Sequence, residues 1–548
     1  MVCRRPCYSR AVAPRPIVLS GFMATGKSVL GRALAQRLGL PFIDTDAEIE
    51  AETHTTIPDL WRSEGEGRFR KREEALVQRL LADPRPSVIA LGGGTVTIRS
   101  ARWLALDRGF LVTLSASPEE IGRRVQDLAA RPNLAVGDPV ERARELLAAR
   151  REVYAECHLE VCTEDSSTTA GASMERCLDQ IIARYREAPL LMPLGSRSYP
   201  LDLGVPLEEA LPRAVDSLAP TSILLVSDEN VMTHQGARIA RALEGRAHRA
   251  LTLPPGEEHK DLSTVQRIWD RALELGIDRR ALIVAVGGGV VGDLAGFAAA
   301  TLLRGLRFVQ VPTTVLAMAD ASVGGKTGFD HAKGKNLIGA IHQPSAVIAD
   351  LALLDTLPPR QWRSGLAEIA KIALTHDAEL WSLLEASAES LAARDVAALE
   401  PLLRRAIAAK ARVVREDEAE SGVRALLNLG HTVGHALEVA GNYQSLLHGE
   451  AVAIGTVIEL RAAAQLGLCS PDLAPAASAL LGRLGLPAMV DEDTLDAALP
   501  YLGTDKKRRG TALGLPVVRE IGRAEVVPVE LTALRAAAQG ASADLPMK

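Results

Sequence analysis

Pro16 to Ser28 is the stretch that leaves this chain the fewest options. The apolar run PIVLS suits a buried strand, and it leads into Gly21-Phe22-Met23-Ala24-Thr25-Gly26-Lys27-Ser28, a complete G-x-x-x-x-G-K-S. Glycines let the backbone curl so that its amides point at phosphate oxygens, and the amphipathic VLGRALAQRLG supplies a helix whose N-terminus favours an anion. Strand, phosphate loop and helix in succession predict an α/β unit. Gly21, Thr25, Gly26 and Lys27 are the expected ATP contacts, with Lys27 on the outer phosphates and Ser28 on magnesium. The motif specifies a nucleotide and leaves the acceptor open.

At 548 residues the chain is too long for one core, and roughly 150 residues per domain suggests three or four compact units. Its 47% hydrophobic and 24% charged residues are those of a soluble globular protein. A net charge of −5 gives no general case for nucleic-acid binding, so any anion site must be local. Six cysteines without a C-x-x-C pair read as reduced thiols of a cytoplasmic protein. The basic start (residues 1–15) lacks the apolar core of a secretory signal. Ala281 to Leu303 is apolar, but Gly287, Gly288, Gly289, Gly292 and Asp293 make it strand, turn and buried helix, so no membrane span is expected.

Further along the first half, PFIDTDAEIE places Asp44 and Asp46 at the end of a second short strand, on the same side of it. Arg70 lies in the charged run EGEGRFRKREE, which in isolation is most often a solvated helix face. VIALGGGTV is another buried strand ending in Gly92, Gly93 and Gly94, where backbone can approach a small ligand. Arg131 precedes a proline in a polar stretch, and Arg150 lies on a helical segment. Singly, each arginine reads as surface.

Together, GFMATGKS, DTD, FRKREE, LGGGTV, ARP and RREVY resemble shikimate kinase, in order, from about Pro16 to Glu187. The resemblance implies a small P-loop domain (16–187) with a parallel sheet and a mobile lid. Asp46, Arg70 and the triple glycine would hold shikimate, with Arg150 on its carboxylate. Arg131 would descend from the lid onto the phosphates, joining Lys27 in catalysis, and Asp44 would support magnesium. The lid sequence LAARPNLAVGD departs from the usual RPLL pattern.

Two prolines and a glycine in EAPLLMPLGSR mark a boundary at 188–195. TSILLVSDEN then reads as a strand ending in Asp228, where a carboxylate could hold a nucleotide ribose. PPGEEHKD is a loop carrying Glu257 and Lys260, and ALIVAVGGGVVGDLAGFAAA is strand, glycine turn and helix, a phosphate cradle that is not G-x-G-x-x-G. Asp320, Lys326, Lys335 and Asn336 follow; two lysines in glycine-rich loops suit an anionic substrate or ordinary solvation. After Asp350 the chain turns helical and alanine-rich.

In that half, Asn428 to Glu450 holds His431, His435 and His448. His431 and His435, four apart, share a helix face. Two imidazoles and a carboxylate make a common site for a zinc-like ion with a position left open. The segment is not H-E-x-x-H, so the carboxylate must come from elsewhere, and Glu368 in GLAEIAK is a candidate. Ordinary surface or hydrogen-bonded core histidines fit the same spacing.

SDEN, PGEEHK, GGGVVGDLAGF, VPTT, SVGGKTG, GKNLIGA, GLAEIAK, LNLGHTVGHALE, HGEAVAIG and DKK, from Ser196 to about Val529, resemble 3-dehydroquinate synthase. The resemblance implies a Rossmann-like NAD domain (196–349) and an α-helical metal-binding domain (350–548), usually in a homodimer, with NAD and one zinc or cobalt ion. It makes Glu368, His431 and His448 the metal ligands and leaves His435 in the substrate pocket. It puts Asp320, Lys326, Lys371, Arg424, Asn428 and Lys506 on the substrate or in catalysis. Asp228, Asn230, Glu257, Lys260, Gly288, Gly289, Val290, Asp293, Thr313, Thr314, Lys335 and Asn336 would surround NAD, and Arg304 would reach a neighbouring subunit's site. TLLRG and MADAS depart from the family's usual aromatic before the arginine and its VDSS.

The combined expectation is a bifunctional enzyme with ATP-Mg, NAD and a divalent metal. It would phosphorylate shikimate and convert the seven-carbon sugar phosphate DAHP to 3-dehydroquinate, with small-molecule substrates, no nucleic acid and no membrane as partners, and a homodimer through the second half. A polyol dehydrogenase or another sugar phosphate cyclase in the second half, and a non-catalytic ATP-binding module in the first, are the alternatives.

Overall fold

The computed structural model describes residues 15–125, 138–164, 170–332, 334–502, 508–509 and 512–543. Two expected site residues, Arg131 and Lys506, lie outside the described residues. The chain divides into two compact units, Met1–Pro200 and Leu201–Lys548.

In the first unit β1 (Ile17–Gly21), β2 (Phe42–Asp44), β3 (Val88–Ala90), β4 (Phe110–Ser115) and β5 (Leu159–Cys162) form a parallel sheet in the order β2-β3-β1-β4-β5. Side chains alternate across a strand, so β1 serves two cores. Ile17 and Leu19 join Leu30 and Leu34 of α1 (Lys27–Leu38), while Val18 joins Val77 and Leu81 of the helix Glu66–Ala82. Gly39, left-handed at φ 66°, ends α1 by donating its N–H to Ala35 and Gln36 carbonyls. From β1 the chain first builds toward β3 and β2, then crosses to β4 and β5. The carboxyl end of β1 is therefore a switch point, where open α/β sheets bind ligands.

The second unit repeats that logic with more strands. Tyr199–Leu203 (β6), Ile223–Asp228 (β7), His248–Leu253 (β8), Leu282–Gly287 (β9), Arg307–Pro312 (β10) and Ala346–Ala349 (here β13) run parallel in the order β6-β13-β10-β9-β7-β8. Both faces are covered, so β9 reads as an unbroken apolar run. Val284 and Val286 pack with Leu211 and Ile239, whereas Ile283 and Ala285 pack with Ile268 and Leu294. Between β10 and β13 an antiparallel ribbon intervenes, β11 (Lys326–His331) and β12 (Gly334–Ile341). The lysines expected in glycine-rich loops therefore stand on strands. Thr327, Gly328 and Phe329 are buried between exposed Lys326 and half-buried Asp330, and a pleated ribbon satisfies backbone groups that a loop would leave to water.

Beyond Asp350 come the helices Pro359–His376, Val396–Glu416, His431–Ala440 and His448–Gln465. The last is buried almost all round and forms the axis of this part. A Cβ on Gly455 would fall on the Gly430 carbonyl, so glycine lets His431–Ala440 approach it backbone to backbone. The helical expectation is incomplete near the end. Ala512–Glu520 and Arg523–Glu530 form an antiparallel hairpin, because Leu513, Leu515 and Val517 alternate into a core with Leu534. Among the described residues no helix is long and apolar enough to cross a membrane.

Candidate active sites

The first site is built at the carboxyl ends of β1, β2 and β3. Gly26 (φ 93°) and Ala24 (φ 61°) are left-handed, and this curls the loop around the start of α1. Lys27 Nζ donates to the Gly21 and Phe22 carbonyls at 2.9 Å, folded over the loop that it would leave for a phosphate. Asp44 accepts from Ser28 Oγ through Oδ2 (2.6 Å) and from Asp46 N through Oδ1 (3.2 Å). It caps Thr45–Thr53, so Asp46 belongs to a helix rather than to the strand end that the sequence suggested. The strand stops at Asp44 because a carboxylate there satisfies a free helical N–H.

The triple glycine follows β3. A Cβ at Gly92 would strike the Asp46 and Glu73 carboxylates, and one at Gly94 would strike the Arg70 guanidinium, so glycine here leaves space for charged groups. Arg70 donates to Glu73 (2.5 Å) and Glu66 (3.0 Å). Burial opposes its charge, but Glu73 and Glu66 more than offset this and raise its pKa. Arg150, at the break between Pro139–Ala149 and Arg151–Ala155, donates to the Gly93 carbonyl at 3.3 Å. Arg70 and Arg150 are thus both held against the triple glycine. Sequence reading missed Glu73, which is buried and also accepts from Thr95 Oγ1 at 2.5 Å. It missed Arg124 too, whose Nη1 is 3.4 Å from the Ala24 carbonyl in the phosphate loop.

In the second unit, Gly288 and Gly289 open the helix Gly289–Thr301 at the end of β9. A small cavity lies against Gly287, Gly288, Gly289, Pro312, Ala321 and Ser322. Thr313 N donates to Gly287 O (2.9 Å), and Thr314 Oγ1 accepts from Ala317 N (3.0 Å), which ties the β10 loop to this turn. Val290 is half-buried in the first turn of the helix. Asp228 caps Glu229–Ala242 by accepting from Val231 N through Oδ1 (2.9 Å), and burial raises its pKa. Asn230 is exposed in the first turn of that helix.

Lys260 is buried between Asp293 (2.7 Å) and Asn336 Oδ1 (2.7 Å). Burial opposes its charge, and Asp293 with Glu257 reverses this, so its pKa is raised. Lys335 lies 3.5 Å from Glu257 and 3.1 Å from Glu438. Arg304 is exposed in a left-handed turn (Leu303, Arg304 and Gly305, φ 50°, 67° and 122°). A thirteen-residue helix, about 20 Å long, separates it from the glycine turn. The structure does not bring it to this unit's cavity.

The helical part supplies the metal-competent cluster. Glu368, His431 and His448 present ligand atoms all within 4.8 Å of one another. Glu368 is completely buried, pairs with Lys371, and lies 3.7 Å from His431 Nε2 and 3.5 Å from His448 Nε2. Neither of its oxygens has a hydrogen-bond partner of ordinary geometry. His431 Nδ1 faces the Leu429 carbonyl at 3.2 Å, which turns Nε2 toward Glu368. A buried carboxylate and two imidazole nitrogens brought this close together fit a zinc-like cation. The His435 ring is 5.3 Å from that of His431 and 6.1 Å from that of His448.

Around this cluster, Lys410 donates to Asp320 Oδ1 at 2.6 Å. Burial pushes Lys410 down to about 8 despite Asp320, and Asp320 is held low by Lys410 and Lys371 against its own burial. Lys326 pairs with Glu420, which also accepts from Asn428 Nδ2 at 2.8 Å. Arg424 is buried, donating to the Glu418 (2.6 Å) and Gly324 (3.1 Å) carbonyls. Sequence reading missed Lys410, Glu420, Glu438 and Glu459. Glu459 accepts from Gly430 N (2.8 Å) and Val433 N (3.0 Å), fixing the start of the His431 helix.

Comparisons with known proteins follow the same division. The shikimate kinase family model matches residues 23–185. The N-terminal and C-terminal models of 3-dehydroquinate synthase match 250–364 and 365–508. The 3-dehydroquinate synthase of Azotobacter vinelandii is 45% identical over 338 residues, 62% of this chain and 92% of the relative. Among solved structures, 2-epi-5-epi-valiolone synthase from Streptomyces hygroscopicus subsp. jinggangensis, with NAD+ and Zn2+ bound, is 31% identical. That match covers 63% of this chain and 97% of the neighbour, with a TM-score of 0.56. A 2-deoxy-scyllo-inosose synthase complexed with carbaglucose-6-phosphate, NAD+ and Co2+ is 28% identical, covering 64% and 99%, with a TM-score of 0.58.

Proposed function

The chain belongs to the 3-dehydroquinate synthase family and carries a shikimate kinase domain ahead of it, and from that premise we propose two chemistries on one polypeptide. The first unit transfers the γ-phosphoryl group of ATP to shikimate. The second converts DAHP to 3-dehydroquinate and inorganic phosphate.

In the kinase, Gly21, Thr25 and Gly26 shape the phosphate cradle, and Lys27 exchanges its two carbonyl partners for phosphate oxygens. Ser28 and Asp44 would hold magnesium, a role supported by the hydrogen bond that joins them. Asp46 orients the acceptor hydroxyl beside the triple glycine, while Arg70 and Arg150 hold the acceptor's carboxylate. Arg131 is proposed to cover the phosphates.

In the synthase, Glu368, His431 and His448 would hold the metal, and the glycine turn with Asp228, Asn230, Glu257, Lys260, Val290, Asp293, Thr313, Thr314, Lys335 and Asn336 would hold NAD. When bound, the metal supplies a Lewis acid and NAD a reversible hydride acceptor, with no net redox change. Lys326, Arg424, Asn428 and Lys506 neutralise and orient the substrate's phosphate and carboxylate. Asp320 fixes the Lys410 ammonium beside Lys371, and a ring nitrogen of His435 takes up a proton at the substrate. The second unit works as a homodimer in the cytoplasm. Arg304, exposed a helix length from its own cradle, supports a role toward a partner's site, and Cys157, Cys162 and Cys469, which form no disulfide among the described residues, support a reducing compartment.

The convergence of Glu368, His431 and His448 beside buried Lys371 carries this reading for the second unit. Two assays on one preparation test it: phosphate release from DAHP with NAD and zinc, and ADP formation from ATP with shikimate. Both should proceed. Net NADH accumulation in the first would instead indicate a dehydrogenase.

A further inference from the structure

Glu438 belongs neither to the metal-ligand set nor to any group expected on substrate or NAD, yet it is 2% exposed. Its Oε1 lies 3.5 Å from His448 Nδ1 and 3.1 Å from Lys335 Nζ, while Oε2 has no hydrogen-bond partner. His448 is therefore addressed from both sides, by Glu368 at Nε2 and by Glu438 at Nδ1. Lys335 is similarly enclosed. Its ammonium also lies 3.5 Å from Glu257 and 4.7 Å from the Tyr443 ring centroid. Tyr443 and Asn442 are both left-handed (φ 60° and 49°), and Tyr443 N donates to the Glu438 carbonyl at 2.7 Å. A bulky residue held at positive φ is costly and persists only where its surroundings over-determine it.

His435, Glu438 and His448 also bring ligand atoms within 4.8 Å of one another, which raises the question of a second cation. Lys335 answers it. An ammonium 3.1 Å from Glu438 already supplies the positive charge, and a divalent ion there would meet it at close range. Glu438 is better placed as an acceptor for the Nδ1 proton of His448, fixing the tautomer whose Nε2 faces Glu368.

We infer that Glu438 is a positioning residue that joins the metal ligand His448 to the nucleotide-side lysine Lys335, so that metal binding and NAD binding strengthen one another. This rests on the synthase reading above. Thermodynamic linkage makes the effect reciprocal: whatever factor zinc adds to NAD affinity, NAD adds to zinc affinity.

The test uses the full chain and two binding measurements, zinc by competition with a chromophoric chelator and NAD by calorimetry with and without zinc. Wild type should bind both, with NAD tighter when zinc is present. Glu438→Gln keeps the shape and an acceptor oxygen but loses the charge that holds Lys335. It should bind zinc about 10-fold to 100-fold more weakly, the range typical of groups that orient metal ligands. Its NAD affinity should no longer respond to zinc. Lys335→Met provides a second route if Glu438→Gln does not fold. Although Lys335 touches no proposed metal ligand, its loss should change zinc affinity severalfold through Glu438. Wild-type zinc affinity within twofold in either folded variant overturns the inference and leaves the synthase reading intact. A wild-type chain that binds neither zinc nor NAD overturns that reading, and the inference with it.

Discussion

At the phosphate loop an incoming anion meets main-chain amides at the end of one strand, and the charged side chains nearby lean on close neighbours. Arg70 rests on Glu66 and Glu73 of its own helix, and Ser28 on Asp44 of the next strand. Around Glu368 the construction is different. Glu368 and Lys371, Lys410, Glu438, His448 and Lys335 come from five separate elements; the first four are buried, and His448 and Lys335 are half-buried. A site made of backbone is fixed once its sheet folds. A site made of buried charges is fixed only while each charge keeps its partner, because stranding one costs about 3–5 kcal/mol.

Glu368→Ala should open that contrast most widely. It removes a proposed ligand and strands Lys371, so cyclisation should fall by several orders of magnitude and the second unit should lose about 3–5 kcal/mol of stability. Zinc titration and calorimetric melting measure both, and a folded variant with full zinc occupancy removes Glu368 from the site. In the first unit, Arg70→Met should lower kcat/KM for shikimate by about 100-fold while the KM for ATP stays within about twofold. A larger change in the ATP term would mean that the two halves of that pocket are not independent.

Asp228→Ser separates a charge from a cap. Serine still caps the helix Glu229–Ala242, but it no longer repels a 2′-phosphate, so the preference for NAD over NADP should shrink about tenfold. An unchanged preference places the discriminating charge elsewhere.

A further effect is on stability in acid. Burial, with Lys371 and Arg412 nearby, pushes His376 down to about 4. Its folded pKa lies below its unfolded value near 6.5, so the unfolded chain binds the extra proton first. The contribution is complete above pH 6.5, is lost as pH falls toward 4, and amounts to at most about 3 kcal/mol. His376→Gln should flatten the stability profile of the second unit between those limits; a profile that keeps its slope assigns the acid sensitivity to other groups.

The same contrast explains what could be read from sequence. Glycine turns are local, so the phosphate loop, Gly92 to Gly94 and Gly287 to Gly289 stand out in one line of letters. His431 and His435 stand out by spacing, and Glu368 was reachable once a carboxylate was required. Lys410 and Glu438 were not. Each sits in an ordinary helical stretch, and only the packing of other helices shows that it is buried beside Asp320 or His448. Asp46 was misplaced because a cap at Asp44 ends its strand two residues early. Lys326 and Lys335 read as loop residues because glycines beside them interrupt the strand pattern of the ribbon.

The central claim is that one polypeptide carries two independent active sites. Lys27→Met tests it most directly, with both reactions assayed on a single preparation of the full chain. Lys27 Nζ donates to the Gly21 and Phe22 carbonyls of the phosphate loop, and Lys27→Met is expected to give a folded chain, which a melting curve checks. Phosphorylation of shikimate should fall by several orders of magnitude, because positive charge at the transferring group is lost. Conversion of DAHP should continue within about twofold of wild type, as independent distant sites are additive. A folded Lys27→Met chain whose synthase rate collapses alongside its kinase rate contradicts the account.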